Sequence, residues 1–192
     1  MLLLLLNACG KKENKNTQTA PKPQKTVASV ASPVSEIPPS DSFLIRDVDH
    51  RSTRIEFRGD RMLFHKIRQP IVALTLFSSW CAPCRGMLPY LGDLQKKNRQ
   101  DLFLIGVLVN DDLNDTSLRD FMHRYEAPFF ISNAPDNDAL GGRVVRECNL
   151  SENYPLPLTV IYKNGKYVMH IAGAAPYEML QSLIDQLKEK KD

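Results

Sequence analysis

Tryptophan occurs once in these 192 residues and cysteine only four times. Away from the N-terminus, no stretch approaches the roughly 20 apolar residues that a membrane-spanning helix needs. No basic stripe interleaved with aromatics is present, and the net charge is only +3, so a nucleic-acid partner is not expected. A second Cys-x-x-Cys is missing, and so is a local pair of histidines. A four-ligand structural zinc site therefore has no local framework, and no metal is assigned. His50, His65, His123 and His170 are scattered, and none sits beside an acid in a motif. What the chain does have is 43% hydrophobic residues, enough for a proper core, and four cysteines in informative places.

Cys9 closes Leu6-Asn7-Ala8-Cys9, directly after a run of leucines. That segment is similar to a bacterial lipobox, in which a leader is cut before the cysteine and the cysteine carries lipid. The leader lacks a positively charged start and its apolar run is short. Residues 1–8 are therefore expected to be a lipoprotein signal segment shortened at its beginning, with Cys9 the lipidation site. The other reading is a greasy N-terminus without a function. Residues 10–40 are rich in Lys, Asn, Thr, Gln, Ser, Pro and Ala and bury too little apolar surface to fold. They are expected to form a flexible tether. Residues 9–40 then form a lipidated tether and residues 41–192 the folded domain. An exported location also permits disulfide chemistry.

The sharpest motif is Trp80-Cys81-Ala82-Pro83-Cys84. Before it, residues 71–77 form an apolar run with β-branched residues that predicts a buried strand. After it, residues 84–91 have helical character. The cysteine pair thus falls where a strand ends and a helix begins. A sulfur there meets the positive end of the helix dipole and unpaired backbone N–H groups, both of which favour the thiolate. A redox-active dithiol is built that way. A metal-binding pair remains the alternative, because two thiolates suit Cu(I).

Along the folded part, strands are predicted over 43–48, 53–57, 62–64, 71–77, 102–109, 129–131, 158–162 and 166–171. Helices are predicted over 81–97, where Pro89 is expected to introduce a kink, and over 115–125, 139–148 and 177–190. Asn164-Gly165 marks a hairpin turn. In the last helix Leu180, Leu183, Ile184 and Leu187 share one face. Strands alternating with helices, followed by a hairpin and a helix, give a mixed α/β sheet covered on both faces.

These residues together resemble the thioredoxin fold. Trp80 precedes the dithiol, Pro83 sits inside it, and Pro89 follows in the first helix. Leu156-Pro157-Leu158, leading through residues 159–162 to Lys163-Asn164-Gly165, is similar to the segment that carries the family's cis-proline. Gly173 falls near the glycine that closes this unit. The N-terminal strand extension and the helix–strand insertion between 110 and 131 are similar to the membrane-tethered TlpA/ResA group. The resemblance implies a protein-disulfide reductase without a cofactor. Cys81 would attack a substrate disulfide and Cys84 would resolve the mixed disulfide. Leu156, Pro157 and Trp80 would hold substrate, while Ala82 and Pro83 would tune the dithiol. It further implies a position on the periplasmic side of a bacterial membrane and an electron donor of the DsbD or CcdA kind. Protein disulfides would be the substrates, including those met in cytochrome c maturation.

Two departures stand out. Thr75 occupies the position of the family's buried acid, and no glutamate separates the cysteines; water or Glu126 would have to take the acid's place. Ser78-Ser79-Trp80 before Cys81 argues against a thiol peroxidase. A dithiol oxidase and a copper-binding chaperone remain the competing readings. Cys148, after Val144 and Val145, is expected to be a buried small hydrophobe.

Overall fold

The computed structural model describes residues 41–190. Cys9, the signal segment and the whole tether lie outside the described residues. The elements in order are β1 (Ser42–Arg46), β2 (Ser52–Arg58), β3 (Arg61–Phe64), β4 (Ile71–Phe77), α1 (Ala82–Lys97), β5 (Leu102–Leu108), α2 (Asp115–Arg124), β6 (Phe130–Ser132), α3 (Asn137–Glu147), β7 (Leu158–Lys163), β8 (Lys166–Ala172) and α4 (Tyr177–Glu189). The strands form one sheet in the order β1-β2-β3-β8-β7-β4-β5-β6. Pairing is parallel at β4–β5 and β5–β6 and antiparallel elsewhere. The mixed α/β architecture expected from the sequence is present.

Every residue of β4 is buried. The reason is its place between β5 and β7 with helices on both faces, which selects a continuous apolar run over an alternating one. Odd-numbered Ile71, Ala73 and Phe77 join a core with α1, α2 and α4. Even-numbered Val72, Leu74 and Leu76 join a second core with α3 and the extension strands β1 to β3. The alternation follows from the two-residue period of a strand. In α4, Leu180, Ile184 and Leu187 are at most 4% exposed, and each such burial is worth about 1.5–3 kcal/mol.

Main-chain contacts tie the extension to the rest of the sheet at two places. The hairpin turn Asn164-Gly165 has positive φ at both residues, 50° and 77°, as a type I′ turn requires. There Met62 N–H donates to the Gly165 carbonyl at 2.7 Å, and a Cβ on Gly165 would lie 2.6 Å from the Met62 carbonyl oxygen. At the other end, Asp47 and Ser132 form an antiparallel bridge. That bridge connects β1 to β6, the two outermost strands of the sheet.

α1 runs from Ala82 to Lys97 through Pro89. Proline has no N–H, so the Arg85 carbonyl has no i+4 donor within the helix. α3 begins at Asn137, two residues before the sequence signal places it.

Candidate active site

Cys81 and Cys84 form a disulfide, with S–S 2.01 Å and Cα–Cα 5.2 Å. Cys81 is the N-cap of α1, and its sulfur accepts the backbone N–H of Cys84 at 3.2 Å. The Cys81 carbonyl accepts the first main-chain bond, from Arg85 N–H at 3.1 Å. No acid stands in the first turn. A sulfur carrying negative charge at this cap would meet an N–H donor and the helix dipole, with no carboxylate in that turn to oppose it. Cys84 is 1% exposed and Cys81 6%, so the first sulfur is the more accessible of the two.

The turn that carries Cys81 is tied to the loop after β5. Ser78 Oγ donates to the Val109 carbonyl at 2.5 Å, and Ser79 N–H donates to Asp111 Oδ2 at 2.5 Å. Trp80 Nε1–H donates to the Asn110 carbonyl at 3.1 Å. Asn110, at φ 51°, gives its own N–H to Asp138 Oδ1 at 2.7 Å. Arg85 closes the turn from below, donating to the Ser79 carbonyl at 2.9 Å. Sequence reasoning missed Ser78, Asn110 and Asp111. They become neighbours of the dithiol only because β4 and β5 lie parallel, with Phe77 opposite Leu108.

The Leu156–Pro157 bond is cis. Pro157 accepts Gly173 N–H at 2.8 Å, with Gly173 at φ 87°. An open cleft of about 470 Å³ runs beside the dithiol. Trp80, Cys81, Ala82, Pro83 and Leu156 line it, as do Asn110 and the segment Glu152-Asn153-Tyr154. Trp80 is 63% exposed and therefore belongs to the surface of the site rather than to the core. Cys81, Trp80 and Leu156 thus come together at one cleft; Cys84 lies behind them.

Thr75 is fully buried opposite Thr159, and the two hydroxyls bond to each other at 3.0 Å. Their strand positions place them on the α1 side of the sheet, with Ala73 and Phe77. Glu126 does not supply the missing buried acid: it is exposed and lines a different cleft with Pro89 and Gly92. Cys148 is buried in the second core, where loss of hydration, aided by the Glu147 charge, pushes its thiol up to about 11. At neutral pH it is a protonated, unreactive thiol. Among the described residues no three His, Cys, Asp or Glu side chains gather to hold a metal ion, and no helix is long and apolar enough to cross a membrane.

No model of a known protein family matches the chain. The thiol-disulfide oxidoreductase ResA of Bacillus thuringiensis subsp. konkukian is 26% identical over 148 residues, covering 76% of this chain and 75% of that protein. Among solved structures, a thiol:disulfide interchange protein from Chlorobium tepidum superposes with TM-score 0.58 at 16% identity, covering 78% of this chain and 94% of that one. The exposed lipoprotein thioredoxin of Streptococcus pneumoniae gives TM-score 0.56 at 14% identity, covering 76% and 98%. Fold, disulfide and relatives agree on the class: the chain is a thiol–disulfide oxidoreductase of thioredoxin-like fold. Within that class, the curated relatives it matches carry the name ResA.

Proposed function

We propose that the chain is an exported, membrane-anchored reductase of protein disulfides that works through Cys81 and Cys84. The observation that carries this reading is the arrangement of the pair. Cys81 is a helix N-cap on an open cleft, and Cys84 is the buried sulfur behind it. In the reduced enzyme the Cys81 thiolate attacks a substrate disulfide. The Cys81–substrate bond forms and the other substrate sulfur leaves as a thiolate. The Cys84 thiolate then attacks the Cys81 sulfur. The Cys81–Cys84 disulfide forms and the second substrate sulfur departs, so two electrons have passed to the substrate.

Leu156 and Pro157 receive the backbone of an extended substrate as a short added strand, beside the Trp80 indole. Ala82 and Pro83 tune the dithiol through the geometry of the first turn. Reoxidised enzyme needs a dithiol donor, and a membrane carrier of the DsbD or CcdA kind fits a protein held at a bilayer by lipid on Cys9. Residues 1–8 are the signal segment in this reading, and residues 9–40 give the domain at 41–192 its reach. Its station is the periplasmic side of a bacterial membrane. Apocytochrome c cysteines are one substrate class in this reading.

The test is a redox titration of the full chain carrying Cys9→Ser and Cys148→Ala against defined thiol buffers. A potential near about −270 mV or lower is expected, as for thioredoxin. A value near about −120 mV would overturn the direction and make the chain a dithiol oxidase. Tight Cu(I) binding without any reduction of a disulfide peptide would replace both with a copper carrier.

A further inference from the structure

We propose that the cleft beside Cys81 selects substrate segments in which lysine or arginine flanks the reacting cysteine, and that Glu152 makes the selection. This rests on Cys81 being the attacking sulfur. The cleft is defined by Cys81, Trp80, Tyr154 and Leu156 with a rim of Glu152 and Asn153. Tyr154 and Leu156 pack onto the core and leave an apolar floor. The indole of Trp80 stands 63% exposed above it.

Among the residues lining this cleft, Glu152 is the one carboxylate, and none is a lysine or arginine. The cation of the first helical turn, Arg85, is held by the Ser79 carbonyl and lines a separate cleft with Ser117 and Asp120. A second negative charge stands close behind. Asp138 holds the Asn110 N–H at 2.7 Å, and its field, after burial, is the second cause raising the Tyr154 hydroxyl. An exposed indole and a carboxylate lining one cleft are a combination that a long cationic side chain satisfies. The aliphatic stem lies on the apolar floor and ring, and the charge reaches the rim. An acidic neighbour in the substrate would meet Glu152 and Asp138 instead. Complementary charge of this kind acts on the rate of encounter as well as on register.

The test uses the full chain, reduced, and matched disulfide peptides whose cysteines are flanked on both sides by Lys, Gln or Glu. In the reaction two electrons pass from the dithiol to the peptide disulfide, leaving Cys81–Cys84 oxidised. Trp80 is the only tryptophan, so its fluorescence can follow the rate. The Lys peptide is expected to react about fivefold faster than the Gln peptide at low salt, and the Glu peptide more slowly than both. The advantage should shrink as salt rises. Glu152→Gln should bring the Lys-to-Gln ratio close to one, and Glu152→Lys should invert it. A ratio that persists in both variants, or a wild-type ratio of one, overturns the proposal. If the wild-type enzyme fails to reduce even the Gln peptide, the reductase reading itself falls, and the selectivity with it.

Discussion

Thr75 and Thr159 show what a single exchange of residue type does inside this fold. Each hydroxyl is buried, and each is the other's partner across β4 and β7. Thr75→Val leaves the Thr159 hydroxyl without that partner, and a stability loss of about 1–3 kcal/mol is expected. Thr75→Val with Thr159→Val should recover most of the loss, because both polar groups are then removed. Denaturant unfolding of the two variants checks this; a double variant as weak as the single one would contradict it. At the same scale, the dithiol and Pro157 are legible in the sequence because their signals are contiguous. Asn110, Asp111 and Glu152 are not. Nothing in the polar run Asn110-Asp111-Asp112 says that it will brace the turn after another strand, and only the β4–β5 pairing makes it do so.

Among the elements, α1 offers the sharpest internal contrast. It carries two glycines, and their surroundings differ. A Cβ on Gly86 would meet nothing within 4 Å, whereas on Gly92 it would lie 2.7 Å from the Glu126 carbonyl oxygen and 3.0 Å from Pro128 Cδ. Gly86→Ala should stabilise the protein by about 0.5–1 kcal/mol through helix propensity. Gly92→Ala should instead destabilise it by about 1–3 kcal/mol, because the backbone after α2 must move. Thermal unfolding of both variants decides the matter, and shifts of the same sign would refute the packing account. The buried strands β4 and β5 were plain in the sequence because strands covered on both faces are nearly continuous apolar runs, with Thr75 the one hydroxyl in β4. The start of α3 was not. Its cap residue Asp136 makes no side-chain capping bond, and the first helical residue is a buried asparagine whose amide donates to the Ser132 and Leu108 carbonyls. The usual start signal is therefore absent, and a polar residue in the interior takes its place.

For the molecule as a whole, strand order was the least legible property. The sequence announced an N-terminal extension but not that its first strand would return to the opposite edge of the sheet. That seam is held by Asp47, which is 1% exposed. Its carboxylate accepts the N–H groups of Asp49 and Arg51 at 3.0 and 2.9 Å and pairs with the Arg51 guanidinium. Asp47→Ala should cost about 1–3 kcal/mol, since two backbone donors lose their acceptor. Hydrogen exchange should rise at both β1 and β6. Faster exchange at β1 alone would mean that the bridge to Ser132 does not join the two edges. The seam also shows why local periodicity fell short here: it joins residues 47 and 132, which no local window of sequence contains together.

The order in which the sheet can close follows from its strand order, in which β8 and β7 lie between β3 and β4. β1, β2 and β3 can form a meander among themselves as soon as they leave the ribosome. β4 can pair with β5 early, but its other edge waits for β7, and the outer edge of β3 waits for β8. Long-range pairings of this kind slow folding and prolong the exposure of unpaired strand edges. The gap between β3 and β4 is thus closed only when the hairpin over residues 158–172 arrives, near the end of the chain.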